Sequence, residues 1–365
     1  MADGSSCNGR THARTRRDFI SSTGRGVAGL TVLPWLAGCG SESGAANDAT
    51  DARAEAPLRG KAASGTGLVY DARYLDHVLV RPDGGRPPEV PERLVRMRAE
   101  LAARGLIEAT VPMTPTVDPL LRIRAHHTGE HVDSVRELGV TATVAELAVS
   151  GALTGVDAVA DGSVRNVFCA VRPPGHHANN TGAEEGFCYY SNAAVAARYA
   201  QEIHGYGKVL IIDWDYHHGN ATQNAFYADP SVLFFSAHDW NAYPGTGDPS
   251  LTGEGDGAGL NINAHLDCGA NDADMLRHWD NALSPAVAAF DPDFVLVSAG
   301  FDSRRDDLLG CFDLTDDAFR RMTRMAMDYA DSCCEGRLVS LLEGGYNLDG
   351  TALAAAAHVE TLLEG

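Results

Sequence analysis

Six short apolar runs without polar alternation recur along the chain from residue 67 onward. Strands of this kind are buried on both faces, as in parallel sheets whose connecting helices cover both sides. The runs are 67–70, 166–171, 208–213, 232–236, 294–298 and 338–342. Helical patterns lie at 91–104, 141–160, 192–204, 273–290, 315–331 and 349–363. The sequence therefore predicts an α/β domain over residues 67–365, with a single open, mostly parallel sheet and helices on both faces.

The net charge and the spacing of the cysteines limit the functions that the sequence allows. The chain has 365 residues and a formal net charge of -20. A nucleic-acid-binding surface must be basic to meet phosphates, so this balance argues against nucleic acid as a partner. The eight cysteines include no CxxC pair, so neither a thiolate zinc site nor a disulfide framework is predicted, and single bridges stay open.

The first 39 residues have the order of an export signal. Arg16 and Arg17 precede a short apolar stretch at 27–36, which resembles a twin-arginine signal and is short for a transmembrane helix. The segment that ends at Cys39 resembles a bacterial lipobox, whose cysteine is acylated; an ordinary peptidase site nearby is the alternative. We expect a periplasmic or cell-envelope protein that a lipid on Cys39 anchors to a membrane, with residues 40–66 as a flexible linker.

Chemically active side chains follow four of the apolar runs. In open α/β sheets the ligand site lies beyond the carboxyl ends of the strands, so residues that follow a run should meet at one rim. His176 and His177 follow the second run, Asp213, Asp215 and His217 end or follow the third, Asp302 follows the fifth and Tyr346 follows the sixth. One such cluster is often structural, but four together predict an active site.

The Asp-x-Asp-x-His pattern predicts a metal site. In an extended chain, Asp213, Asp215 and His217 face the same way. Their oxygen and nitrogen donors suit Zn²⁺, Fe(II) or Co(II) better than Ca²⁺ or Mg²⁺. Asp302, at another strand end, is the natural further ligand, and three protein ligands would leave a position open for substrate.

The adjacent His176 and His177 follow a Pro-Pro-Gly turn. Two neighbouring histidines cannot both face one metal from an extended segment, so at least one is free for proton transfer.

Taken together, these motifs resemble the histone deacetylase family and its bacterial amidohydrolase relatives, with a class II-like pattern and the arginase/deacetylase fold. The resemblance covers roughly residues 70–350, nearly the whole domain. The motifs are Arg172-Pro-Pro-Gly-His-His-Ala178, Gly186-Phe-Cys188, Asp213-x-Asp-x-His-His-Gly-Asn220, Tyr243-Pro-Gly-Thr-Gly-Asp248, Ser298-Ala-Gly-Phe-Asp302 and Glu343-Gly-Gly-Tyr346.

The resemblance implies roles for individual residues. One zinc ion per chain would be held by Asp215, His217 and Asp302. His176 and His177 would be the tandem pair beside the reacting water, with His177 as the general base.

The substrate would also have defined contacts. Tyr346 would polarise the acetyl carbonyl, and Phe187 and Tyr243 would form the walls of a narrow acyl-lysine channel. Gly186 would accept the substrate amide N–H, and Arg93 would lie at the foot of the pocket.

Other positions match less critical features or depart from the family pattern. Asp213 and Ser236, which follows its own strand, match a structural potassium site. Asn220 stands where some members place a carboxylate partner for the second histidine. The family's histidine before Pro-Glu is replaced in Pro87-Pro88-Glu89, and the loop 178–186 is about one residue longer than usual. The last two departures put the rim of the pocket, and hence the substrate, in question.

The implied reaction is zinc-dependent hydrolysis of acyl amides, with acetyl-lysine-type substrates favoured and acetylpolyamines as the alternative. In the family's loop after the third zinc ligand, a glutamate can meet the distal ammonium of an acetylpolyamine; here Leu309 takes that position. An arginase-like ureohydrolase would need a second metal and would have no use for Tyr346. A non-catalytic acyl-binding module would lack Tyr346 or a ligand, and neither is missing.

Overall fold

The structure is a computed structural model that describes residues 64–80 and 84–365, all within the compact unit Pro57–Gly365. The expected export signal, Cys39 and the linker as far as residue 63 lie outside the described residues. The first strand begins at Thr66, one residue before the predicted start of the domain.

A single parallel sheet of eight strands forms the centre of the described domain. The strands are β1 (Thr66–Val69), β2 (Val111–Met113), β3 (Asn166–Cys169), β4 (Val209–Asp213), β5 (Val232–His238), β6 (Asn261–His265), β7 (Phe294–Ala299) and β8 (Leu338–Leu342). Their order across the sheet is β2-β1-β3-β8-β7-β4-β5-β6. The predicted fold class is confirmed.

Eleven α-helices connect the strands within the described residues. They are α1 (Glu92–Ala103), α2 (Leu106–Ala109), α3 (Leu120–His126), α4 (Gly129–Arg136), α5 (Val140–Ala160), α6 (Asn192–His204), α7 (Asn220–Phe226), α8 (Asp272–His278), α9 (Ser284–Phe290), α10 (Asp316–Cys333) and α11 (Leu348–Leu363). A π-helical segment, Trp279–Leu283, joins α8 to α9, so the chain stays helical over the region predicted as one helix. Thr315 and Asn347 cap α10 and α11 with their side chains.

Strand β3 shows how helices cover both faces of the sheet. Gly155 of α5 lies against Cys169 and Val167, so closely that a β-carbon at position 155 would collide with the Cys169 sulfur. Phe168, which points to the opposite face, packs against His358 of α11 with ring centroids 5.3 Å apart. The strand is fully buried because both of its faces are covered, which explains its unbroken apolar run.

The sequence missed two strands and four short helices. The strands β2 and β6 are the two edges of the sheet, and both lack the apolar run of a central strand. Strand β2 contains Pro112, and β6 carries alternating polar residues, as edge strands often do. Helices α2, α3, α4 and α7 have four to eight residues each, too few to give a clear helical period.

Two further features concern the body of the domain. By length and composition α5 could cross a membrane, yet 67% of its apolar window is buried inside the domain, as in a core helix. Cys169 and Cys188 are buried free thiols. Within the described residues one disulfide joins Cys268 to Cys311, which is one of the single bridges that the sequence left open.

Candidate metal centre and active site

The candidate residues follow four neighbouring strands and lie where the carboxyl ends of these strands meet. Strands β3, β8, β7 and β4 are consecutive across the sheet, and their carboxyl ends lead into the loops that carry the histidine pair, Tyr346, Asp302 and Asp215. Since adjacent strands are only about 4.8 Å apart, residues distant in sequence meet there. The structure therefore brings the candidate residues together at the carboxyl ends of these strands.

Asp215, His217 and Asp302 form a buried group whose candidate ligand atoms all lie within 4.8 Å of one another. His217 Nδ1 is 2.9 Å from Asp302 Oδ2 and 3.2 Å from Asp215 Oδ1. Backbone N–H groups orient the carboxylates: Gly344 donates to Asp215 and Tyr216 donates to Asp302. Carboxylate oxygens and imidazole nitrogens are donors that bind zinc and other divalent transition metals in proteins.

Glycines make room for this group. A β-carbon at Gly300 would overlap the Asp215 carboxylate, and one at Gly344 would overlap the carboxylates of both Asp215 and Asp302. Any larger residue at these two positions would displace a ligand. The backbone is therefore shaped around the carboxylates, and the residues present fit a metal ion.

The three side chains of this group shift one another's pKa. Burial lowers the pKa of His217, but hydrogen bonds and negative charge from Asp215 and Asp302 outweigh burial and raise it to about 10. Burial, together with the charge of Asp215, raises the pKa of Asp302 to about 7. Two carboxylates crowded against one imidazole concentrate negative charge, which a divalent cation would compensate.

Asp213 takes a different place from the one that the extended pattern predicted. Strand β4 ends at Asp213 and the chain bends through residues 215–217, so Asp213 does not join the three-residue group. Its Oδ2 instead lies 3.0 Å from His176 Nδ1. Burial lowers the pKa of His176, but the charges of Asp215 and Asp213 raise it well above the usual value.

His177 has a neutral partner instead. Its Nδ1 is 2.7 Å from Asn220 Oδ1, an amide oxygen that only accepts, so Nδ1 carries a proton and Nε2 is the free acceptor of the neutral ring. Burial and the positive charge of His176 lower the pKa of His177 well below its usual value. The structure thus brings both histidines and Asn220 together as expected and gives the two rings opposite electrostatic surroundings.

Aromatic rings surround the histidine pair and Tyr346. The ring of Tyr243 lies edge-on to His177 at 5.0 Å, and the ring of Phe187 lies 5.8 Å from Tyr346. Gly186 is so close to His177 and Tyr243 that a β-carbon there would overlap the histidine ring. The predicted channel residues therefore flank the predicted catalytic residues.

The Tyr346 side chain is buried, but its hydroxyl makes no hydrogen bond to any other described residue. Burial and then the charge of Asp302 raise the pKa of this hydroxyl well above its usual value. The hydroxyl therefore stays protonated next to the negative charge of Asp302. Arg93, predicted at the foot of the pocket, is buried with its guanidinium 5.0 Å from the Tyr346 ring centre.

Ser236 lies in a different setting from the one predicted, whereas Leu309 lies on the predicted loop. Ser236 lies inside β5, which continues to His238, and not after the end of its strand. It pairs in register with Asp213, while its hydroxyl lies 2.9 Å from His238 Nδ1. The potassium site stays a prediction. Leu309 is 41% exposed on the loop that follows Asp302.

Sequence reasoning missed the role of Glu343. Its side chain is fully buried and accepts hydrogen bonds from the backbone N–H groups of Gly175, at 2.7 Å, and His176, at 3.2 Å. Burial raises the pKa of this carboxyl to about 7. A charged residue directly after an apolar run was the available signal. Glu343 fixes the histidine loop to the end of β8.

The fold and site together define an α/β protein with a buried two-carboxylate, one-imidazole centre of the kind that holds divalent metals. Residues 87–362 match the family model described as the histone deacetylase domain. This chain belongs to the histone deacetylase family.

Individual relatives agree with this assignment. Histone deacetylase 15 of Arabidopsis thaliana is 38% identical over 322 residues, which are 83% of this chain and 57% of that protein. A probable deacetylase of Archaeoglobus fulgidus is 36% identical over 78% of this chain and 82% of its own length. The crystal structure of the HDA15 HD domain superimposes with a TM-score of 0.78 at 38% identity, covering 82% of this chain and 90% of that chain. The chain spans only about half the length of the plant relatives.

We expect Asp215→Ala and Asp302→Ala each to remove the bound metal, because two remaining ligands make a weak site. Zinc per chain, measured by elemental analysis after purification with zinc, tests this. Asp239→Ala is the matched control: Asp239 is a buried carboxylate nearby that bonds the Tyr216 hydroxyl at 3.0 Å and is not in the group. Full zinc occupancy in either ligand variant would contradict the assignment.

Proposed function

We propose that this chain is a zinc-dependent deacetylase that hydrolyses acetyl-lysine-type amides to acetate and a free amine. The main support is that the candidate ligand atoms of Asp215, His217 and Asp302 lie within 4.8 Å of one another, beside the buried His176–His177 pair. Relatives named as histone deacetylases and as a probable deacetylase support the proposal.

The same three residues would hold the zinc ion. When bound there, zinc would polarise the amide carbonyl and lower the pKa of a water molecule toward roughly 7. Within the described residues a single group of three metal-type ligands is found, which favours this reaction over a two-metal ureohydrolase.

The histidine pair would move the protons. His177 presents an unprotonated Nε2 because Asn220 occupies its other nitrogen, so it would take a proton from the attacking water. His176 is held by the Asp213 carboxylate, which favours its charged form. A protonated histidine of the pair would then give its proton to the leaving amine.

Tyr346 would stabilise the oxyanion. Its hydroxyl is protonated, has no protein partner among the described residues and lies close enough to Asp302 for that charge to raise its pKa. A hydrogen bond to the negative charge that develops on the carbonyl oxygen is worth on the order of 3 kcal/mol in comparable sites.

We expect Tyr346→Phe to lower kcat by about 100-fold or more while KM and zinc content change little, because only a transition-state contact is lost. Steady-state kinetics on an acetyl-lysine peptide measures this. Tyr190→Phe is the matched control, since Tyr190 is also buried with an unpartnered hydroxyl but lies outside the proposed site. Near-normal kcat in Tyr346→Phe would remove the tyrosine from the mechanism.

The charged residues of the rim loop bear on the choice of substrate. Arg304 pairs with Asp316 at 2.7 Å, and Arg305 lies 3.4 Å from Asp313. The Asp307 carboxylate is taken up by backbone N–H groups, among them that of Tyr346 at 2.7 Å. Arg305, Asp306 and Leu308 are exposed on the same loop. Leu309, which is also exposed, takes the predicted gatekeeper position, where a leucine offers an ammonium no charge attraction.

We therefore expect acetyl-lysine peptides to be preferred over acetylspermidine, and Leu309→Glu to shift the ratio of kcat/KM toward acetylspermidine by about 10- to 100-fold. Both substrates are measured on both proteins. Leu309→Gln, which adds polarity and length without charge, is the control and should shift the ratio far less. A tenfold preference for acetylspermidine in the native enzyme would replace this substrate proposal with the acetylpolyamine alternative.

We propose further that the protein is exported folded from a bacterial cytoplasm and stays on a membrane. The support is the order of Arg16–Arg17 and Cys39 in the sequence. The relatives named above come from a plant and an archaeon, and they do not bear on export. The Cys268–Cys311 bridge is consistent with an oxidising compartment.

Replacing Arg16 and Arg17 with lysine should block export, and Cys39→Ser should release soluble protein. Fractionation of cells that express each variant, followed by immunoblotting, measures both effects. Replacement of Arg10 and Arg14 with lysine, upstream of the pair, is the control and should leave export intact. An unchanged distribution of the Arg16–Arg17 and Cys39 variants would overturn the localisation.

A further inference from the structure

One half-buried carboxylate, that of Asp307, accepts four backbone N–H groups from two loops. Its Oδ2 accepts from Tyr346 at 2.7 Å and Asn347 at 3.0 Å. Its Oδ1 accepts from Leu309 at 2.9 Å and Gly310 at 3.3 Å. Each oxygen thus serves one loop, and the carboxylate joins the loop of Tyr346 to the loop that forms the rim.

We propose that Asp307 is a positioning residue for Tyr346, which it holds where the tyrosine hydroxyl can meet the substrate carbonyl. This inference rests on the role given to Tyr346 in the proposed function. It assigns Asp307 no contact with substrate: both of its oxygens are occupied by the protein backbone.

The Tyr346 loop is held by individual hydrogen bonds and not by a regular helix or sheet ladder, so each contact to its backbone matters. Residues 343–347 connect β8 to α11 without regular structure, and Gly345 has φ +118°. The tyrosine ring touches Phe187 and Arg93 but its hydroxyl is unbonded within the described residues. A small shift of this backbone would carry the hydroxyl away from the reacting carbonyl.

Two side chains hold opposite sides of that backbone. The Arg93 guanidinium donates to the carbonyl oxygens of Glu343 at 2.6 Å and Gly345 at 2.5 Å. Asp307 accepts from the N–H groups that follow, at positions 346 and 347. A cation on the carbonyl side and an anion on the N–H side fix the orientation of the peptide groups around Tyr346, since hydrogen bonds to ionised groups are the stronger ones.

The turn before Asp307 directs its carboxylate to this place. Asp306 has φ +63°, a left-handed conformation that is uncommon outside glycine but tolerated by aspartate. The Asp306 carbonyl oxygen accepts from the Asn347 side-chain amide at 2.8 Å, so the same two loops are tied a second time.

The test is Asp307→Asn in the full-length, zinc-loaded protein. Asparagine keeps the shape but replaces one acceptor oxygen with an N–H₂ group, which faces backbone donors. We expect kcat to fall by about 10- to 100-fold with KM and zinc content nearly unchanged, because a displacement of about 1 Å in a catalytic group has effects of this size. In a Tyr346→Phe background the same change should lower kcat less than about twofold, because the hydroxyl that Asp307 positions is already gone.

Asp229→Asn is the matched control. Asp229 also accepts a hydrogen bond within a turn, from the Ser231 N–H at 2.7 Å, but it precedes β5 and therefore lies at the amino end of that strand, away from the candidate site. It should lower stability without the loss of kcat. Unchanged kcat in Asp307→Asn, a change in KM alone, or a full loss of kcat in the Tyr346→Phe background would each overturn the proposal.

A measurement on the unmodified protein covers the case in which Asp307→Asn does not fold. Amide hydrogen exchange, resolved to single residues by mass spectrometry, should find the Tyr346 and Asn347 amides protected. Exchange of both at the rate of an open chain would overturn the proposal. If the native protein hydrolyses no acyl amide, the proposed function fails, and the exchange measurement still decides whether Asp307 holds the Tyr346 loop.

Discussion

The site depends most on the buried ion pairs that the Glu89 carboxylate forms with two arginines. This carboxylate lies 2.6 and 2.7 Å from two nitrogens of Arg172 and 3.1 Å from Arg93, and all three side chains are almost fully buried. Burial alone would raise the pKa of Glu89, but the two arginines hold it below its usual value. Removing one partner from such a buried ion-paired group costs roughly 3–5 kcal/mol of folding stability, because a buried charge is left unpaired.

The two arginines extend this anchor to both halves of the active site. Arg172 begins the loop that carries the histidine pair, and it also donates to the backbone oxygens of Tyr74 and His77. Arg93 reaches the backbone at Glu343 and Gly345, beside the tyrosine loop. By way of the two arginines, the Glu89 carboxylate therefore ties the loop of the histidine pair to the loop of Tyr346, and neither loop can move without opening a buried ion pair.

The sequence predicted the parts of this molecule whose burial leaves a pattern. Six central strands are apolar because both of their faces are covered, whereas the edge strands β2 and β6 carry no such run. The grouping of Asp215, His217 and Asp302 could be predicted because these residues follow central strands and belong to motifs that resemble one family. The direction of Asp307 could not, since it depends on the left-handed conformation of Asp306, and the bend after Asp213 removed that residue from the metal group.

The order of strands across the sheet carries a consequence for how such a protein can vary. The residues that would perform the chemistry lie in the loops that follow β3, β8, β7 and β4, which are consecutive, so the hydrogen-bonded spacing of the backbone brings these loops together. That spacing does not depend on side-chain choice in the loops beyond it. A segment such as 178–185, which contains none of the residues proposed to act on the substrate or to position Tyr346, can therefore change length and composition while the reaction geometry is conserved. The scaffold separates what is done to a substrate from which substrate is admitted, and the second can drift in evolution without loss of the first.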